Sequence, residues 1–194
     1  MRDWVLRSDL EWDHFFHAEF DPDIAQCDYA PVNRTILLAE SRIELPVTAA
    51  ITYKSGEVGY RQVRYSHDVR KRGNDPKETA RLIQAAAAEG IRYEVWTEIE
   101  IRRNVVQLAN WRRMVAWLSA AREHGLDWYI DEIASTFRSH QTFKLVDVEK
   151  AWGEAAFPLY AAAVFQAVRL GTYVADTDKE ILSPETVISK GSVQ

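Results

Sequence analysis

The chain has 194 residues, 47% hydrophobic and 27% charged, enough for one medium domain or two small ones with a buried core. No apolar run reaches the roughly 18 residues of a membrane span, the N-terminus is charged and aromatic rather than a signal core, and the single Cys27 excludes an internal disulfide or thiolate cluster, so a cytoplasmic protein with no membrane partner is expected. The net charge of −5 argues against broad polyanion affinity, yet residues 60–113 carry 12 Lys/Arg against 7 Asp/Glu while the remainder nets −10. That distribution permits a local site for a polyanion, or simply solvated helix faces.

In chain order, Ser8 with Glu11 three residues on has the spacing of a capping box, and Trp12, Phe15, Phe16 and Phe20 follow at near-helical intervals. This predicts a helix over 9–18, ended by Asp21-Pro22. The β-branched and apolar runs 35–39, 46–53 and 58–65 predict three strands, the last two joined by the turn at 54–57. Their short connections predict an antiparallel meander. Asp75-Pro76 opens a helix that Gly90 closes, and 91–96 reads as a strand reached by a crossover, giving a mixed sheet. Asn104 caps a helix running to about residue 123, with Leu108, Trp111, Val115 and Leu118 on one stripe. Further helices are expected near 127–137, 146–152 and 158–170. Gly171 then stops the last, and 172–175, a turn at 176–179 and 180–182 read as a hairpin. The fold class expected is α/β, a mixed sheet flanked by helices over 1–109, followed by a helical, winged-helix-like domain over 110–194.

Certain residues carry a family resemblance. Ser8-Asp9-Leu10-Glu11 with Phe20-Asp21-Pro22, the stretch 93–101 (Tyr-Glu-Val-Trp-Thr-Glu-Ile-Glu-Ile), and Phe165, Leu170-Gly171, Asp176, Leu182-Ser183 and Thr186 resemble TnsA-like transposase endonuclease subunits. The helix, three-strand meander, helix, strand order likewise resembles the PD-(D/E)XK, restriction-endonuclease-like nucleases. The resemblance is a pattern over most of the chain, without one strong motif. It implies a helix Glu, a strand Asp and a strand Gln or Glu holding Mg²⁺, with a Lys two positions after the Gln on the same strand face. It also implies partners: DNA, an integrase-type transposase and an AAA+ regulator.

Against that pattern, Glu11 stands at the helix Glu, either as a site carboxylate or only as a cap. Gln62 and Arg64 stand at the Gln-x-Lys positions, or else on an exposed polar strand face. Arg64 keeps the charge but cannot give up a proton. Pro46-Val47 stands at the Pro-Asp pair, and valine cannot ligate a metal. The catalytic positions Glu11, Gln62 and Arg64 are therefore expected to be non-functional, with no metal ligands and no cofactor. Mg²⁺ enters only under the alternative of an active endonuclease with rearranged ligands, Glu44 or Glu57 replacing the missing group. A further alternative is a non-enzymatic protein-binding adaptor on the same fold. Arg64, Arg70, Lys71, Arg72, Arg102 and Arg103 form the expected DNA-facing set. His14 and His17, three apart on the first helix, lack a third ligand nearby, and Cys27 lacks an activating base. Seven Trp residues suggest a rich core or interface.

Overall fold

A computed structural model describes residues 5–38, 41–67 and 76–191. The chain is a mixed α/β protein with a mixed sheet flanked by helices. It divides into two compact units, Met1–Glu19 with Asp23–Arg103, and Phe20–Pro22 with Asn104–Gln194. The boundary thus lies at the cap of a helix, where the Asn104 side chain accepts the Gln107 N–H at 3.0 Å, rather than at 109/110 within that helix. Among the described residues no helix is long and apolar enough to cross a membrane.

In the first unit, α1 (Asp9–Glu19) starts where Ser8 Oγ accepts the Glu11 N–H at 3.1 Å. Five strands follow: β1 (Ile24–Asp28), β2 (Arg34–Leu38), β3 (Ser41–Leu45), β4 (Ala49–Tyr53) and β5 (Val58–Val63). Then come α2 (Pro76–Ala88), β6 (Arg92–Trp96) and the one-turn α3 (Glu98–Ile101). The main sheet runs β1-β4-β5-β6, antiparallel except for the parallel β5–β6 pair that α2 connects.

The meander is real but is built from other segments than expected. Its first strand is 24–28, a five-residue run whose apolar Ile24 and Cys27 pack with Phe15 and Ala18 of α1. Such a short run, interrupted by Gln26, carries little alternation of its own. Arg34–Leu38 pairs instead with Ser41–Leu45 in a separate two-stranded sheet. The expected strand at 46–53 begins only at Ala49, because Pro46 has no N–H for a ladder.

Helix α1 covers one face of the main sheet through Leu10 and Ala18, packed with Val63, Ile101 and Ala49. Helix α2 and the β2–β3 hairpin cover the other through Ala85, Ala86, Ile36 and Leu45, packed with Tyr93. The two-residue period of β5 therefore sends Arg61 and Val63 toward α1, and Tyr60 and Gln62 toward α2.

The second unit contains α4 (Val105–Ala120), α5 (Asp127–Thr136), β7 (Thr142–Lys144), α6 (Leu145–Trp152), α7 (Phe157–Arg169), β8 (Tyr173–Ala175) and β9 (Val187–Lys190). The three strands form an antiparallel sheet in the order β7-β9-β8. Helix α7 is the centre of this unit: all of 160–165 is buried, with α4, α5 and α6 packed against it. Gly171, at φ 81°, ends α7 and turns the chain into β8.

The expected hairpin partner of β8 at 180–182 is not a strand; β9 at 187–190 takes that place. The reason is Asn110, fully buried on α4. Its Nδ2 donates to the carbonyls of Thr177 and Glu180 at 2.9 and 2.7 Å, and its Oδ1 accepts the Leu182 N–H at 2.7 Å. The backbone of 177–182 is satisfied by a side chain, so it needs no strand partner.

Candidate functional site

Two of the residues singled out by the resemblance, Glu11 and Val47, border one cavity. A polar-lined cavity of about 300 Å³ in the first unit is bordered by Glu11 and Arg7 at the start of α1 and by Val47 and Thr48 ahead of β4. Asn33 and Tyr29 complete its polar wall. Val47-Thr48 is held against β5: Thr48 N–H donates to the Arg61 carbonyl at 2.8 Å, and Thr48 Oγ1 accepts the Val63 N–H at 3.0 Å. This fixes Val47 beside the end of β5, close to Gln62. Tyr93 Oη lies 3.0 Å from the Pro46 carbonyl and 3.1 Å from Gln62 Oε1, so one hydroxyl proton ties the two segments together. Burial pushes the Tyr93 phenol up to about 12, against the opposing effect of the Arg64 charge, so the hydroxyl stays a donor.

Mg²⁺ wants several oxygen ligands, usually including one or two carboxylates, in a rigid octahedron. The residues present do not fit it. Glu11 Oε2 already accepts the Arg7 N–H at 2.7 Å as part of the turn into α1. The amide oxygen of Gln62 is engaged by Tyr93, and Val47 offers no lone pair. Of the two carboxylates considered as replacements, Glu44 is the nearer in connection. Asn33 Nδ2 donates to Glu44 Oε1 at 2.7 Å while Asn33 Oδ1 accepts the Val47 N–H at 3.1 Å. Glu57 pairs instead with Arg92 at 3.5 Å, next to the turn between β4 and β5. Among the described residues no three His, Cys, Asp or Glu side chains converge as a metal site.

The expected DNA-facing residues are dispersed. Arg64 Nη2 donates to Thr79 Oγ1 of α2, and Arg64 is half-buried. Arg102 bridges Asp9 at 2.8 Å and the buried Asp13 at 2.7 Å. The Tyr65 hydroxyl and the Arg102 guanidinium together hold the Asp9 carboxyl below its usual range. Arg103 is exposed. Arg70, Lys71 and Arg72 lie outside the described residues.

The sheet face under α1 holds a second polar constellation that sequence reading missed. Arg61 is 4% exposed, and its guanidinium donates to Glu94 Oε2 at 3.0 Å and Tyr53 Oη at 3.2 Å. Its carbon lies 4.2 Å from the centroid of the Trp96 ring. Its Nη1 stands 3.5 Å from Nε2 of the fully buried His14. Burial would raise the Glu94 carboxyl, but the Arg61 charge and the hydrogen bonds from Trp96 and Arg92 hold it below its usual range. Burial, then the Arg61 charge, drives His14 down to about 3, so the ring is neutral. His17 is no chelating partner for it, since its Nε2 is 2.6 Å from the Ile101 carbonyl and both rings turn to Trp96. Cys27 is pushed up to about 12 by burial, which keeps it a thiol. The available sequence signal was the phase of β5: Arg61 shares the buried register with Gly59 and Val63.

No protein-family model matches the chain, and no curated protein matches it.

Proposed function

We propose that this chain is a TnsA-like DNA-binding protein of a transposition or mobile-element system, built on a restriction-endonuclease-like fold without metal-dependent cleavage. The reading is supported by the order α1, β1, β4, β5, α2, β6, with β2–β3 as an insertion and β5 parallel to β6. In the second unit, α5-β7-α6-α7-β8-β9 with sheet order β7-β9-β8 is the arrangement a winged-helix module would have. The observation that carries the reading is the cavity whose lining holds one acidic side chain, Glu11, together with Val47. A site of this make-up lacks the set of carboxylates that would hold a catalytic cation, which speaks for a DNA-binding role without cleavage. By the same resemblance the partners are an integrase-type transposase and an AAA+ regulator, and the compartment is the cytoplasm.

The test is a titration of purified protein against duplex DNA at two salt concentrations. Binding should weaken steeply as salt rises, with a log–log slope of about −0.9 per neutralised phosphate. Replacing Arg70, Lys71 and Arg72 together by alanine should flatten that slope by about 2 to 3 while leaving the fold intact. An unchanged slope removes those three from the interface.

A second reading, a protein-binding adaptor without DNA contact, is favoured by one specific observation. Arg61, Arg92 and Arg102 from the basic middle of the chain are spent on the protein's own carboxylates. Absence of DNA binding at low salt decides for this reading.

A further inference from the structure

The second unit has a surface suited to a different partner. A helix that reads a DNA groove must expose polar side chains to base edges and phosphates. Helix α7, third of the three helices in the α5-β7-α6-α7-β8-β9 array, is buried throughout 160–165, and its only basic residue is Arg169 at its last turn. The connection between β8 and β9 carries Asp176, Asp178, Glu180 and Glu185 against the single Lys179, a charge balance that repels phosphate.

Helix α5 presents the opposite chemistry. Trp128 is 62% exposed in its first turn. Its ring is held edge-on by Tyr129 at 4.9 Å and reaches Tyr160 at 6.5 Å, which in turn stacks on Trp152 at 4.0 Å. The ring is therefore fixed on an aromatic base rather than free to collapse onto the surface. Asp131 and Glu132, three and four residues on, share its helix face. Glu132 is oriented by the Tyr160 hydroxyl, and Asp131 is exposed with no ion pair among the described residues. In the first unit the rings of Tyr53, Tyr60, Tyr65 and Trp96 are each covered by an arginine of the chain itself. Among the described residues no cation of the chain lies over Trp128.

We propose that the Trp128 face of α5 docks an arginine-bearing segment of a partner protein. A guanidinium stacks flat on an indole while its N–H fork reaches carboxylates on the same side, and it is more weakly hydrated than an ammonium. Trp128 supplies the ring, and Asp131 and Glu132 supply the acceptors. The inference stands apart from the DNA reading of the first unit and survives its failure.

The experiment uses the full chain labelled with ¹⁵N, in which each of the seven tryptophans gives one indole signal. The Trp128 signal is assigned by its loss in Trp128→Phe. Hexa-arginine, hexa-glutamate and a 20-base-pair duplex are the probes. The Trp128 signal should move saturably with hexa-arginine and stay still with hexa-glutamate and with DNA. Trp128→Ala should weaken hexa-arginine binding about three- to fivefold, and Asp131→Asn with Glu132→Gln by a similar factor. Glu180→Lys with Glu185→Lys, which changes the net charge more but lies away from α5 in sequence, should leave the Trp128 shift in place. A Trp128 signal that does not move with hexa-arginine, that moves with DNA instead, or whose shift is lost in the Glu180 and Glu185 variant overturns the proposal.

Discussion

His14 is neutral in the folded protein because a charge there would be buried beside a guanidinium. Arg61 Nη1 faces Nε2, which must accept, so the ring proton sits on Nδ1, an atom with no hydrogen-bond partner in the structure. Tyr29, Trp96 and Arg61 surround the ring, and the charge of His17 on the same helix, itself lowered by burial, also acts on it. The unfolded chain takes up a proton on this residue near pH 6.5, whereas the folded chain does not until about pH 3. Stability is therefore whole above 6.5 and falls as pH drops through that window, at roughly 1.4 kcal/mol per pH unit once the unfolded histidine is charged. Urea unfolding between pH 6.5 and 4.5 checks this. In His14→Gln the fitted proton uptake on unfolding should drop by about one, leaving the slope due to His17 and the lowered carboxyls such as Glu94. An identical slope in the variant contradicts the neutral, buried state. Glu11, Gln62 and Val47 are picked out in the sequence because a local pattern marks them. The His14–Arg61 pair was not, because the groups that make its burial tolerable, Tyr53 on β4 and Glu94 and Trp96 on β6, lie on strands far from α1 and from each other in the sequence.

At the level of elements, helices were legible and several strands were not, for a physical reason. A helix carries its own signals: Ser8 and Asn104 caps, Pro76 in the first turn, Gly90 and Gly171 at the ends. A strand of three to five residues carries almost none, and its partner decides its fate. Thus Arg34–Leu38 read correctly as a strand but pairs with Ser41–Leu45 rather than with the meander, and Thr142–Lys144 and Val187–Lys190 escaped notice entirely. The segment 180–182 shows the converse: it looks like half a hairpin, and Asn110 holds it as a loop. Replacing Asn110 by Leu keeps the volume but leaves two carbonyls and one N–H without their partner. Unsatisfied buried groups cost about 1–3 kcal/mol each, and relief by water near the surface sets the expected loss at about 2–4 kcal/mol. Asn110→Asp should be worse, since its second oxygen faces the carbonyls of Thr177 and Glu180. Denaturant midpoints measure both, and a loss below about 0.5 kcal/mol for Asn110→Leu would show that the loop holds itself.

For the molecule as a whole, the basic middle of the sequence suggested a polyanion surface, and the fold redirects much of it. Arg61 is buried, Arg64 is bound to Thr79, Arg81 pairs with Glu78, and Arg92 and Arg102 each bridge two carboxylates. Charge counted along a chain says nothing about which charges meet in space. Val47, by contrast, is readable from one letter, and under the proposed nuclease-like reading its consequence concerns the activity of the whole protein. Phosphodiester hydrolysis by metal-dependent nucleases uses a cation at the scissile phosphate, held chiefly by carboxylates. Here Glu11 and Val47 line one cavity of about 300 Å³, while Gln62 is engaged by Tyr93 and Arg64 by Thr79. Calorimetry with Mg²⁺ or Mn²⁺ should therefore find no saturable site in the millimolar range, and supercoiled plasmid should survive incubation with either ion. Val47→Asp adds a second carboxylate to the cavity that Glu11 lines and should gain a saturable Mn²⁺ isotherm that Glu11→Ala removes again. Adding Arg64→Lys supplies an amine that can exchange a proton, and metal-dependent nicking above the parent's level is expected from the double variant. Efficient cleavage by the unmodified chain, lost in Glu11→Ala and in Glu44→Ala, would overturn this view, because it would mean that Glu44, one asparagine away from the cavity, supplies the second carboxylate.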